Sequence, residues 1–143
     1  MVKKLLIPVL FVFLSLSGCS PKLGSSASDI IFVCGDDKVQ MIDLSKSNGE
    51  QVTIMWQWAA KEATDIPAAY QKMLATLDEC KPFENNTKLM LTSSGGATVV
   101  LDIKTKKVLF YAKTPMAHSA EILPNNRIVV ANSTHSKGNS IEL

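Results

Sequence analysis

A histidine within reach of a carboxylate can move protons or hold a cation. The chain has two histidines, His118 and His135. His118 follows Asp78 by 40 residues, and Lys81 lies three positions beyond Asp78. These three polar groups could converge only if the fold brings equivalent points of two repeated units together. The bland alternative is that Asp78 accepts turn hydrogen bonds, Lys81 is solvated and His118 caps a loop. His135 sits in a Thr/Ser/Lys/Gly stretch and reads as exposed. The chain contains no HExxH, no GxSxG and no recognisable nucleophile triad.

The repeat that would position them is visible in the chain. The stretch DECKPFENNTKLMLTSSGGATVVL at 78–101 recurs, degraded, as HSAEILPNNRIVVANSTHSKGNSIEL at 118–143. Leu89-Met90-Leu91 matches Ile128-Val129-Val130 at an offset of 39, and Asn85-Asn86 matches Asn125-Asn126 at 40. An earlier copy, IIFVCGDDKVQMID at 30–43, fits 89–102 without a gap at an offset of 59. A period of about 40 residues with several short strands per unit is that of β-propeller blades. Each blade is a twisted sheet that must bury its faces on its neighbours.

The predicted fold is therefore all-β, with about two and a half propeller-type blades and one inserted helix. The spacing predicts three strands at 30–35, 39–44 and 52–58. A complete blade follows at 78–84, 88–94, 97–103 and 106–113, and a third begins at 118–123, 127–133 and 140–143. Asn85-Asn86 and Thr105-Lys106 fall at hairpin positions, where Asn tolerates left-handed backbone. Asp36-Asp37 and Gly95-Gly96 occupy equivalent hairpins and read as turn chemistry. Propellers close with about 4–8 blades, so this reading expects a truncated propeller. The rival expectation is a small open β-domain complete at this length. In a propeller the innermost strands begin at the axial mouth, which places Asp78, Lys81 and His118 there.

The insertion at 59–77 breaks the strand pattern. Ile66, Tyr70, Met73 and Leu77 mark one face of a helix, with Asp65 as a candidate N-cap and Pro67 in its first turn. Trp56 and Trp58 alternate on the strand before it and share a face. They are candidates for a ligand-stacking wall, against the plainer reading of core packing.

The N-terminus carries an address. Lys3-Lys4 precede an apolar run at 5–16, too short to span a bilayer, which takes about 20 helical residues. It ends in Leu16-Ser17-Gly18-Cys19, which closely resembles the bacterial lipobox. That resemblance implies cleavage before Cys19 and a lipid on its sulfur; two or more acyl chains anchor stably where one does not. Residues 1–18 then form a lipoprotein signal peptide, 19–28 the lipidated Cys19 and a flexible tether, and 29–143 the partial propeller. Ser20 after Cys19 implies the outer membrane in the proteobacterial sorting rule. The expected location is the cell envelope, facing the periplasm, with the cell surface as the alternative.

Lys and Arg number 15, two of them in the leader, against 13 Asp and Glu, so the mature chain is formally neutral. It has no basic field for nucleic acid. With Cys19 lipidated, Cys34 and Cys80 remain. An oxidising compartment makes a disulfide between them one reading and two separate thiols the other. No Cys/His spacing suggests a metal, and no cofactor is expected.

VCGDD at 33–37, WQW at 56–58, DECKP at 78–82, TSSGG at 92–96, VLFYA at 108–112 and AHSAEILP at 117–124 together resemble a family of bacterial secreted and lipid-anchored proteins. That family is known only as a domain of unknown function and is propeller-like. The resemblance covers nearly all of the mature chain and implies relatives that continue for several more blades. At Asp36 the family pattern implies an aromatic, and this sequence departs from it. No catalytic residue transfers. The functional expectation is a membrane-anchored binding or scaffold module for glycan or protein partners. The alternatives are a sugar- or lactone-acting enzyme using His118 and Asp78, and a nonfunctional fragment.

Overall fold

A computed structural model describes residues 29–125, 127–132 and 139–142. The leader, Cys19, the tether and His135 lie outside these residues. Among the described residues ten strands fold into three antiparallel meanders. The first sheet holds β1 (Ile30–Gly35), β2 (Lys38–Asp43) and β3 (Thr53–Ala59). The second holds β4 (Leu77–Phe83), β5 (Lys88–Ser93), β6 (Ala97–Asp102) and β7 (Val108–Lys113). The third holds β8 (Ala117–Leu123), β9 (Arg127–Asn132) and β10 (Asn139–Glu142). These are propeller-type blades, as the repeat predicts, and the strand boundaries agree with the sequence pattern to within a residue or two.

The second sheet lies between the other two. Strand side chains alternate between faces. Leu89, Leu91, Val99 and Leu101 pack with Val39 and Trp58 of the first sheet. Met90 and Val100 pack with Ala120, Ile128 and Val130 of the third. Both faces of β5 and β6 are therefore buried, which explains why LMLTS and ATVVL read as near-continuous apolar and β-branched runs.

Local backbone choices set the turns. Glu84, Asn85 and Asn86 all take left-handed conformations, with φ of 47°, 55° and 62°. Lys106 does the same at 61°. Asp36 turns the first hairpin at φ 49°, and Gly96 turns its counterpart at 115°. These two hairpins differ in length, which corrects the gapless match of 30–43 to 89–102. Ile30 pairs with Asp43, whereas Leu89 pairs with Leu101. The first turn has two residues and the second three, so the correct offset is 58 in β1 and 59 in β2. A one-residue slip moves a side chain to the opposite face. The equivalents of Phe32 and Cys34 are Met90 and Thr92, not Leu91 and Ser93.

The insertion is less helical than its pattern implied. It contains a 3-10 turn (Ala60–Glu62) and one short helix, α1 (Ala68–Met73). Pro67 is the N-cap, and Asp65 does not cap. Its carboxylate instead accepts the Val108 N–H at 2.6 Å, at the start of β7. Ile66 and Leu77 flank the helix and are buried in the core shared by the first two sheets. The Ser93 hydroxyl contacts the Met73 and Thr76 carbonyls, each at 2.6 Å, pinning the insertion onto the β5–β6 turn. A side chain at Gly95 would collide with the Met73 carbonyl.

One buried side-chain polar atom among the described residues lacks a hydrogen bond, the Thr92 hydroxyl. An unsatisfied buried hydroxyl costs about 1–3 kcal/mol. Thr92→Val is expected to raise stability by about 1 kcal/mol in urea unfolding, while Leu91→Ala on the same strand lowers it by about 2–5 kcal/mol. A Thr92→Val variant less stable than wild type would show that the hydroxyl is satisfied.

Candidate functional site

The first strands of the second and third sheets, β4 and β8, lie side by side and share no backbone ladder. Each carries a bulge at the same point. The register of β4 on β5 passes from Leu77 to Glu79, skipping Asp78. The register of β8 on β9 passes from Ala117 to Ser119, skipping His118. A bulge leaves one residue unpaired and re-aims its side chain. Here the two re-aimed side chains meet, with His118 Nδ1 3.2 Å from Asp78 Oδ1.

The other Asp78 oxygen accepts the Ser94 N–H from the β5–β6 turn. Burial pushes the Asp78 carboxyl up. The Ser94 and His118 hydrogen bonds outweigh that and hold it below the ordinary carboxylate value. His118 is 48% exposed in its side chain and Asp78 24%. In the neutral tautomer that donates Nδ1–H to the carboxylate, Nε2 is left as an acceptor.

Lys81 belongs to a neighbouring cluster. It pairs with Glu121 of β8, donates to the Ala120 carbonyl at 3.2 Å and lies 3.8 Å from Glu79. Its pKa is raised by Glu121 first, against burial, with Glu79 adding to the rise. Glu79 was not singled out in the sequence, yet it is the best-held group of the cluster. It accepts the Ala120 N–H at 2.9 Å and the Ser119 hydroxyl at 3.2 Å. The contacts run 78 to 118, 79 to 119 and 81 to 121, each pair 40 residues apart. The signal for Glu79 was in the repeat itself, because Glu79 and Ser119 are equivalent positions.

The remaining candidates lie elsewhere. Trp58 is 4% exposed and faces the core. Trp56 donates its indole N–H to the Ile103 carbonyl at 2.8 Å, beneath the Lys106 ammonium. Both rings thus serve the seam between the first and second sheets. Cys34 and Cys80 are free thiols on that seam. Among the described residues no cluster of three or more His, Cys, Asp or Glu side chains could hold a metal ion, and no helix is long and apolar enough to cross a membrane.

Blade-like sheets with a polar mouth where their first strands begin define a β-propeller-type protein. Over residues 26–142 the chain matches the model of a family of unknown function, DUF6528, and belongs to that family. No curated protein matches it. Among solved structures it is similar to the β-propeller domain of Cps50 (Swd1) from Myceliophteria thermophila, at 11% identity and a TM-score of 0.39. The match covers 73% of this chain and 45% of that one, so the chain spans less than half the length of that relative.

Asp78 has a depressed pKa, so the stability it contributes is present above its unfolded value of about 3.9 and is lost as pH falls through the lower folded value. Wild type and Asp78→Asn are expected to differ in urea midpoint at about pH 5, and the gap closes as pH falls below about 4. A gap that persists unchanged to pH 2 would show that the carboxylate charge contributes nothing.

Proposed function

We propose that this chain is a lipid-anchored binding module of the bacterial cell envelope that takes a polar, hydroxyl-rich ligand at the mouth between β4 and β8. The observation that supports this reading is the Asp78–His118 pair on two matched bulges. It offers a half-exposed imidazole oriented by a carboxylate, with the Lys81–Glu121 pair and Glu79 in the cluster next along the same two strands. Such a rim, which mixes donors and acceptors, suits the hydroxyls of a glycan. A near-neutral chain is not drawn to polyanions. A protein partner with an exposed Lys is the alternative ligand. The anchor at Cys19 would hold the mouth at the outer membrane, facing the periplasm, on the tether at 19–28.

Calorimetric titration of the protein with a panel of neutral oligosaccharides tests the reading. Binding by at least one is expected, with His118→Ala weakening it about tenfold, the equivalent of one good hydrogen bond. If no sugar binds, the glycan reading falls.

A second reading, an enzyme acting on a sugar or lactone, draws on the same pair, because an imidazole oriented by a carboxylate can act as a general base. Product formation during the titration, abolished in His118→Ala, would favour it over binding alone. For the anchor, labelled palmitate fed to expressing bacteria should enter the wild type and not Cys19→Ala. Equal labelling of both would remove the anchor from the proposal.

A further inference from the structure

The seam between the first and second sheets is built differently from the seam between the second and third. Corrected for the turn lengths, Cys34 of β1 is equivalent to Thr92 of β5, and Cys80 of β4 is equivalent to Ala120 of β8. Where one seam has a threonine and an alanine, the other has two thiols. β1 packs along β4, the Leu77 N–H donates to the Asp36 carbonyl at 2.8 Å, and both cysteines pack against the same apolar cluster. Each thiol also alters the other's ionisation.

Both thiols are half-buried, and their ionisation differs. Burial pushes the Cys34 thiol up, partly offset by its contact with Cys80, and pushes Cys80 further, to about 12.

We propose that Cys34 and Cys80 are a thiol–disulfide site: Cys34 takes up oxidising equivalents from a small disulfide, and Cys80 resolves the adduct into a bond that staples the first sheet to the second. The chemistry balances. The Cys34 thiolate attacks one sulfur of the donor disulfide, whose S–S bond breaks and releases one thiolate that takes up a proton. The Cys80 thiolate then attacks Cys34 Sγ and expels the second donor thiolate, which is protonated in turn. The protein loses two hydrogens and two electrons, and the donor disulfide becomes two thiols. Both protein thiols are poorly ionised at neutral pH, so the first step is slow without a catalyst. The cysteines are 46 residues apart, and a closed loop of that size constrains the unfolded chain strongly. The site stands independently of any ligand at the mouth.

The test incubates the full chain with oxidised glutathione and follows intact mass, peptide mapping and Tm. The expected result is loss of two hydrogens, a linked peptide pair containing Cys34 and Cys80, and a Tm rise of about 5–15 °C that a phosphine reductant reverses. In Cys80→Ala a glutathione adduct should accumulate on Cys34. In Cys34→Ala the Cys80 thiol should react many-fold more slowly. A persistent adduct on Cys34 of the wild type, two thiols that stay open to alkylation, a link to Cys19, or a linked protein with unchanged Tm would each overturn the proposal. If either alanine variant does not fold, the wild-type mass, map and Tm still decide it.

Discussion

Two strands that run side by side without pairing leave edge N–H and C=O groups to be satisfied by something else. That constraint governs the inner side of this molecule. Where β4 meets β8, side chains meet the need. Glu79 takes the Ala120 N–H and the Ser119 hydroxyl, and Lys81 takes the Ala120 carbonyl and Glu121. The paired bulges then release Asp78 and His118 from the ladder so that they can face each other. The polar mouth is thus a by-product of joining two blades: residues that close the seam also decide which groups remain for solvent. The insertion contributes at one remove, because Ser93 pins it to the turn whose Ser94 N–H holds Asp78.

The seam with the first sheet solves the same problem with different materials. Apolar packing of Phe32, Val39, Trp56 and Trp58 dominates it. Its polar ties include the Leu77 N–H to the Asp36 carbonyl and the Trp56 indole N–H to the Ile103 carbonyl. The two cysteines lie in the part of this seam nearest the inner strands. Both blade interfaces thus have an apolar core, and they differ at the inner strands: one adds ion pairs and hydrogen bonds, which respond to pH and salt, and the other adds two thiols.

Much of this was legible in the sequence because strand periodicity and turn residues are local signals. The four strands of the second sheet, the left-handed Asn85-Asn86 turn and the place of Asp78 and His118 on first strands could all be read from spacing. What could not be read depends on register. The bulges at 78 and 118 leave no compositional mark, so the direct contact of those side chains was an expectation without a mechanism. The single residue that separates the two-residue turn at Asp36-Asp37 from its three-residue counterpart was hidden by a gapless match. Asp65 shows the same limit in another form. Its position before Pro67 satisfies the local rule for a helix cap, yet a distant N–H at Val108 claims its carboxylate. The Trp pair shared a face as read, and tertiary packing turned that face inward.

The double burial of β5 and β6 also has a kinetic side. Amide protons exchange with solvent only when the structure around them opens, and the cost of opening follows how much cover must be removed. The first and third sheets can each detach from one side. β5 and β6 can expose their amides only after a flanking sheet has lifted and their own ladder has broken. Deuterium uptake should thus run inward from both flanks and arrive last at Leu89–Leu91 and Val99–Leu101, so that the centre of the sequence pattern is also the slowest clock in the molecule.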